Sequence, residues 1–231
     1  MIGILVAMAM EREAIVNKMD NVSIQEHYEQ PYYIGSIGDK SVIVAESGTG
    51  KVASAITCCR LIEHFNCDTV LNIGTAGGIR ECENILDVII ADKVTYHDWA
   101  EETINSRPRG FETNNGYVFY SDKELVKAAE KVMEEVSSCK TYIGPVVSGD
   151  QFVTEKELVQ AILKSFPESY ACDMESATVG HVCSSYNVPF VIIRSLSDIV
   201  LKEGNSMDFL TYAKAASERA AEFTELFVKS I

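Results

Sequence analysis

Two hydrophobic rhythms alternate along this chain. Short apolar runs, as in Ile2–Ala7, Val70–Ile73, Asp87–Val94, Tyr142–Ser148 and Pro189–Ile193, are the pattern of strands buried on both faces of a sheet. Between them apolar residues recur at helical spacing. Examples are Ile15 and Met19 in Glu11–Met19, then Val52, Ala55, Ile56, Cys59 and Ile62, then Leu125, Ala128, Ala129, Val132 and Val136. Tyr32–Ile37 and Ser41–Glu46 flank Gly38-Asp39-Lys40 and read as a β-hairpin. The β-then-α alternation runs end to end, without a linker, repeat or low-complexity stretch. It predicts one α/β domain over residues 1–231, three layers deep, with helices on both faces of a mixed, largely parallel central sheet. Tyr96–Tyr120 breaks the rhythm; so long a loop in a compact domain is a lid, an interface segment or disordered.

Composition changes this picture little, and charge changes it more. The 231 residues are 47% hydrophobic and 23% charged, which is ordinary for a globular chain. The net charge is −14 with no Lys/Arg cluster, which argues against nucleic acid or an anionic membrane as partner. No apolar run reaches the roughly eighteen residues that span a bilayer. MIGILVAMAM lacks a positive start and a cleavage site, so it reads as a first core strand rather than a signal peptide. Seven cysteines without a CxxC pair read as small buried apolar residues of a reducing compartment, the cytoplasm. Four scattered histidines lack metal-ligand spacing, so neither a metal nor a cofactor is expected.

Candidate chemistry gathers where strands end. The run at Phe190 gives way to Arg194-Ser195-Leu196-Ser197-Asp198, and open α/β sheets bind ligands beyond the carboxyl ends of strands. Ala171–Ala177, ACDMESA, is a second acidic ending before a helix. Met10, Glu11 and Glu13 stand at a third strand–helix junction, where acids also complement a helix dipole. Ser47-Gly48-Thr49-Gly50-Lys51 is not a triphosphate loop, since Val52 follows where Ser or Thr is required. Gly74-Thr75-Ala76-Gly77-Gly78 is not GxGxxG, but it would let a ligand approach the backbone closely.

If the sheet gathers Glu13, Thr75, Phe152, Glu175, Arg194 and Asp198 at one edge, their carboxylates raise one another's pKa. One then serves as acid and another as base. That pairing suits cleavage of a glycosidic bond through an oxocarbenium-like transition state, with the aromatic stacked on a flat leaving group. On the residues alone, a structural Arg194–Asp198 ion pair and a core position for Phe152 stay open.

Six motifs in order carry a resemblance over nearly the whole chain: Met10-Glu11-Arg12-Glu13, Ser47–Val52, Gly74–Gly78, Val147–Phe152, Asp173-Met174-Glu175 and Ser197-Asp198. Together they resemble the 5′-methylthioadenosine/S-adenosylhomocysteine nucleosidases of the nucleoside phosphorylase/hydrolase superfamily. The resemblance implies a nucleoside phosphorylase-like fold and a small-molecule nucleoside as partner. It implies that Asp198, held by Ser197, protonates adenine N7, that Phe152 stacks on the purine, and that the Val153 backbone reads its edge. Glu175 would bind the ribose hydroxyls over Met174, and Glu13 would activate water, helped by Arg194 and Thr75. Met10, Thr49 and Met207 complete the implied binding set. Thr49 and Met207 stand where the family has an apolar residue and a Phe, and Trp99–Gly116 replaces an aromatic, Gly-rich segment that reaches the neighbouring subunit. A homodimer is therefore expected, and the 5′ substituent is the open part of the substrate. The alternatives are hydrolysis of another 5′-modified adenosine, phosphorolysis by a purine nucleoside phosphorylase, and nucleoside binding without catalysis.

Overall fold

A computed structural model describes the chain except residues 100–109, 111–116, 136–138 and 203–204; for Glu135 and residues 205–210 it describes the backbone alone. Twelve strands form one sheet among the described residues. Its spine is β5 (Thr69–Gly78) and β12 (Phe190–Ile199), parallel over their whole length. Both strands are longer than the apolar runs suggest. β5 continues through Gly74, Gly77 and Gly78, and β12 continues through Arg194 to Ile199. Each supplies the other's backbone partners there, so neither needs a turn to satisfy its amides.

On the free edge of β5 two strands dock in succession. β1 (Ile2–Val6) pairs parallel with Thr69 to Asn72, and β11 (Ala171–Asp173) pairs antiparallel with Gly77 and Gly78. Between these docking stretches lie Ile73, Gly74, Thr75 and Ala76, whose edge belongs to neither strand. Beyond β1 the sheet runs through β4 (Lys40–Glu46), β3 (Gln30–Ile37) and β2 (Asp20–His27). β3 and β4 form the expected hairpin; β2, exposed along its length, lacks the apolar pattern that would have marked it. Beyond β11 come β10 (Val146–Ser148), β7 (Lys93–Tyr96) and β8 (Val118–Tyr120). On the far side β6 (Val88–Ala91) joins β12, and β9 (Thr141–Ile143) joins β6.

Strict alternation along the central strands divides the core in two. Leu5, Ile43, Phe190, Ile192 and Leu196 face one side with Cys58, Leu61 and Cys183 of α2 (Lys51–Glu63) and α5 (Ser176–Tyr186). Ile4, Val6, Val44, Leu71, Val191 and Ile193 face the other. There they meet α1 (Ala9–Val16), α3 (Lys123–Glu135) and α6 (Asn205–Ser230) through Ile15, Val132, Phe223 and Phe227. A third cluster packs α4 (Lys156–Ser165) against Val147 and Cys172. The result is one α/β domain of three layers, as the alternation predicts. Among the described residues no helix is long and apolar enough to cross a membrane.

Candidate active site

The gap along β5 is the floor of a pocket, lined there by Ile73, Gly74, Thr75 and Ala76. The first turn of α1 closes one side. Met8 is the N-cap, so Glu11 is the third helical residue, and its carboxylate reaches back over the open amides of the turn. Oε2 accepts from the Ala7 and Met8 amides, each at 3.0 Å. Oε1 accepts from the Thr75 amide at 2.8 Å and from Thr75 Oγ1 at 3.2 Å. The Thr75 amide is free to donate because no strand docks at that point of β5. Gly74 is glycine for the same reason: a Cβ would sit 2.8 Å from Glu11 Oε1. Burial pushes the Glu11 carboxyl above its ordinary value, and Arg194 and the three backbone amides only partly oppose this.

The end of β12 forms another wall. Its register against β5 slips by one residue, from Leu196 opposite Ala76 to Asp198 opposite Gly77. This bulge breaks the two-residue alternation, and Ser197 and Asp198 both line the pocket. Ser197 Oγ donates to Asp198 Oδ1 at 2.8 Å, and both side chains are buried.

The third carboxylate, Glu175, stands at the N-cap position of α5, but its side chain turns away from that helix and accepts the Gly50 amide at 2.7 Å. Gly50 has φ of +95°, which only glycine adopts without strain. Burial, followed by the neighbouring Asp173 charge, pushes Glu175 up to about 7. Asp173 is itself fully engaged. It accepts from Arg194 Nε at 2.8 Å, from Ser148 Oγ at 2.5 Å and from the Ser176 hydroxyl. Arg194 also donates to Asn72, at 2.6 Å to Oδ1 and 3.2 Å to the carbonyl. The ion pair of Arg194 is thus with Asp173, both side chains 2% exposed, rather than the Arg194–Asp198 pair left open by the sequence.

Most of the residues named from sequence meet in this one pocket: Thr49, Thr75, Phe152 and Val153 line it, as do Met174, Glu175, Arg194, Ser197 and Asp198. Phe152 is not a core residue; its ring is half-exposed at the wall. Two placements need correction. Glu13 lies outside the pocket, with a side chain 68% exposed and paired with Arg12 at 2.8 Å. Met10 is exposed as well, and Met8 lines the pocket in its stead. The cause is a helix that begins at Ala9 rather than Glu11. Two residues along a helix turn a side chain by roughly 200°, to the opposite face. The signal was present: Ile15 marks the buried face, and Glu11 lies four residues before it. Sequence reasoning also passed over Asp173 as a partner for Arg194, since only the folded sheet sets β11 near β12. The side chain of Met207 and most of Trp99–Gly116 lie outside the described residues.

A three-layer α/β sheet that opens beside its central strand onto a pocket lined by the buried carboxylates of Glu11, Asp173, Glu175 and Asp198 has the makings of a small-molecule site. Comparison with known proteins agrees. The phosphorylase superfamily matches residues 1–229. A 5′-methylthioadenosine/S-adenosylhomocysteine nucleosidase of Staphylococcus aureus (strain JH9) is 33% identical over 231 residues, all of both chains. The crystal structure of such a nucleosidase from Neisseria meningitidis, in complex with methylthio-immucillin-A, superposes with a TM-score of 0.93 at 31% identity, covering 100% of this chain and 99% of that one. One from Colwellia psychrerythraea, in complex with adenine, gives 0.91 at 30% identity, covering 99% and 94%. The chain belongs to the phosphorylase superfamily and, within it, to the family of 5′-methylthioadenosine/S-adenosylhomocysteine nucleosidases.

Proposed function

We propose that the chain hydrolyses the N-glycosidic bond of 5′-methylthioadenosine and S-adenosylhomocysteine, releasing adenine and the 5′-thioribose. The observation that carries this reading is the convergence of Glu11, Glu175 and Asp198, from three separate elements, on one buried pocket. Asp198, steadied by Ser197, is the acid that protonates adenine N7, so that the base leaves neutral. Phe152 stacks on the purine and the Val153 backbone reads its edge. Glu175 accepts from the ribose hydroxyls, and Met174 packs under the sugar. Glu11 takes the role that the family resemblance implied for Glu13: it draws a proton from the attacking water, which Thr75 helps to place. Each general acid or base step of this kind contributes roughly 10²–10⁴-fold.

Water suits this site better than phosphate. Arg194 is committed to Asp173 and Asn72, and the Glu11 carboxylate beside it repels an anion. The dimer belongs to the same proposal. Val52, Ile56 and Tyr186 are 71%, 46% and 40% exposed around an apolar groove between α2 and α5, a face suited to a second copy of the chain. Seven free thiols fit a reducing cytoplasm, where release of adenine and a thioribose would serve methionine salvage.

The test is adenine release from 5′-methylthioadenosine in buffer with and without phosphate, beside Asp198→Asn. Rapid release that ignores phosphate and fails in the variant is expected. Release that requires phosphate would make the protein a phosphorylase and remove the role given to Glu11.

A further inference from the structure

A charged knot outside the pocket ties together the two walls that would hold the two halves of a nucleoside. Its centre is Lys51, the first residue of α2. Lys51 Nζ donates to Asp98 Oδ2 at 2.7 Å and lies 3.8 Å from Asp150 Oδ2. The Lys51 amide donates to Asp150 Oδ1 at 2.8 Å, and the Asp150 amide donates to Asp98 Oδ2 at 3.0 Å. The ammonium also sits 5.5 Å from the centre of the Tyr96 ring. Three elements distant in sequence therefore share one set of contacts: the start of α2, the end of β7 and the loop after β10.

What each element carries gives the knot its meaning. Gly50, next to Lys51, donates the amide that fixes Glu175 on the ribose side. Asp150 stands two residues before Phe152 and three before Val153, on the purine side. The N-terminus of α2 thus receives two carboxylates from elsewhere in the chain, Glu175 on the Gly50 amide and Asp150 on the Lys51 amide. One carboxylate belongs to each half of the pocket. Burial works against the charge on Asp98, but Lys51 and the Asp150 amide outweigh it and hold the carboxyl below its usual range, ionised as the knot requires.

We propose that Lys51, Asp98 and Asp150 are positioning residues that fix the spacing between the purine wall and the ribose acceptor. The proposal rests on the nucleosidase reading, since it takes the ligand to bridge both walls. A bridging ligand needs both walls at the correct separation. A fragment that fills one wall does not.

The experiment compares Asp98→Asn, Lys51→Met and Lys51→Arg with the wild type. Two quantities are read: KM and kcat for 5′-methylthioadenosine, and the Kd of free adenine by calorimetry. In Asp98→Asn and Lys51→Met, KM is expected to rise about tenfold with kcat within about threefold, while adenine Kd stays within about twofold. Lys51→Arg keeps the charge and should recover most of the loss. The double variant Lys51→Met/Asp98→Asn should lose less than the sum of the two single changes, because both remove the Lys51–Asp98 contact. Equal weakening of nucleoside and adenine, unchanged KM with lowered thermal stability, or a fall in kcat alone would each overturn the proposal. Absence of turnover in the wild type would instead overturn the nucleosidase reading. Calorimetry with nucleoside and adenine would then still report on the knot.

Discussion

Two faces of one helical turn differ more than any two distant parts of this molecule. Glu11 and Glu13 are the same residue type, two positions apart, at the start of α1. Glu11 is 3% exposed and accepts three backbone amides and a hydroxyl. Glu13 lies in solvent with Arg12 as partner. Arg12 stacks on Tyr33 and bonds its hydroxyl, so the Glu13 face belongs to the contact between α1 and β3. The difference teaches that a motif does not say which of its acids faces a pocket; helical phase does.

The largest effect that can break this comparison is on turnover. Glu11→Gln keeps shape and removes the proposed base, so kcat should fall about 10³-fold. Glu13→Gln removes a surface ion pair and should leave kcat within about twofold. Steady-state adenine release measures both, and a reversed order would return the base to Glu13.

The pH dependence sharpens the comparison. Glu11 must be ionised to act as a base, and burial raises its pKa above that of an ordinary glutamate. The acid limb of kcat should therefore turn over above the usual carboxylate range, with activity lost as pH falls through it. A limb at the ordinary carboxylate value would argue against Glu11 as the base.

The smallest effect concerns a buried acid away from the pocket. Glu83 is fully buried, accepts the Arg80 amide at 3.0 Å, and is pushed up to about 8 by burial. Its folded pKa exceeds the ordinary 4.5, so its contribution to stability is complete below that value. The contribution is lost as pH rises through about 8. Glu83→Gln should therefore lessen the decline in Tm between pH 6 and 9, by about 5–10 °C. Thermal melts at both pH values check it, and identical slopes would show that Glu83 is ionised in the fold. Burial alone thus makes Glu83 a stability group, whereas burial facing a pocket makes Glu11 a candidate for chemistry.

Much of the architecture was legible because local pattern and buried environment coincide. Short unbroken apolar runs bounded by turn residues fit strands covered on both faces, and the helical stripes of α2 and α3 supplied the covers. The acidic strand endings marked the pocket for the same reason, since charge at the end of a buried run must meet water, a partner or a ligand. β2 escaped notice because a solvent-exposed edge strand needs no apolar pattern.

The chain by itself determined the α/β class, the sheet's central strands, and the set of polar residues at their ends. Only the tertiary structure decided which of those residues face one another. The β12 bulge and the gap between β1 and β11 along β5 are both matters of register. Register is set by backbone hydrogen bonds between segments far apart in sequence, and a shift of one or two residues carries a side chain from solvent into the pocket. No local pattern encodes that choice, because the energy that selects it arises only when the segments meet.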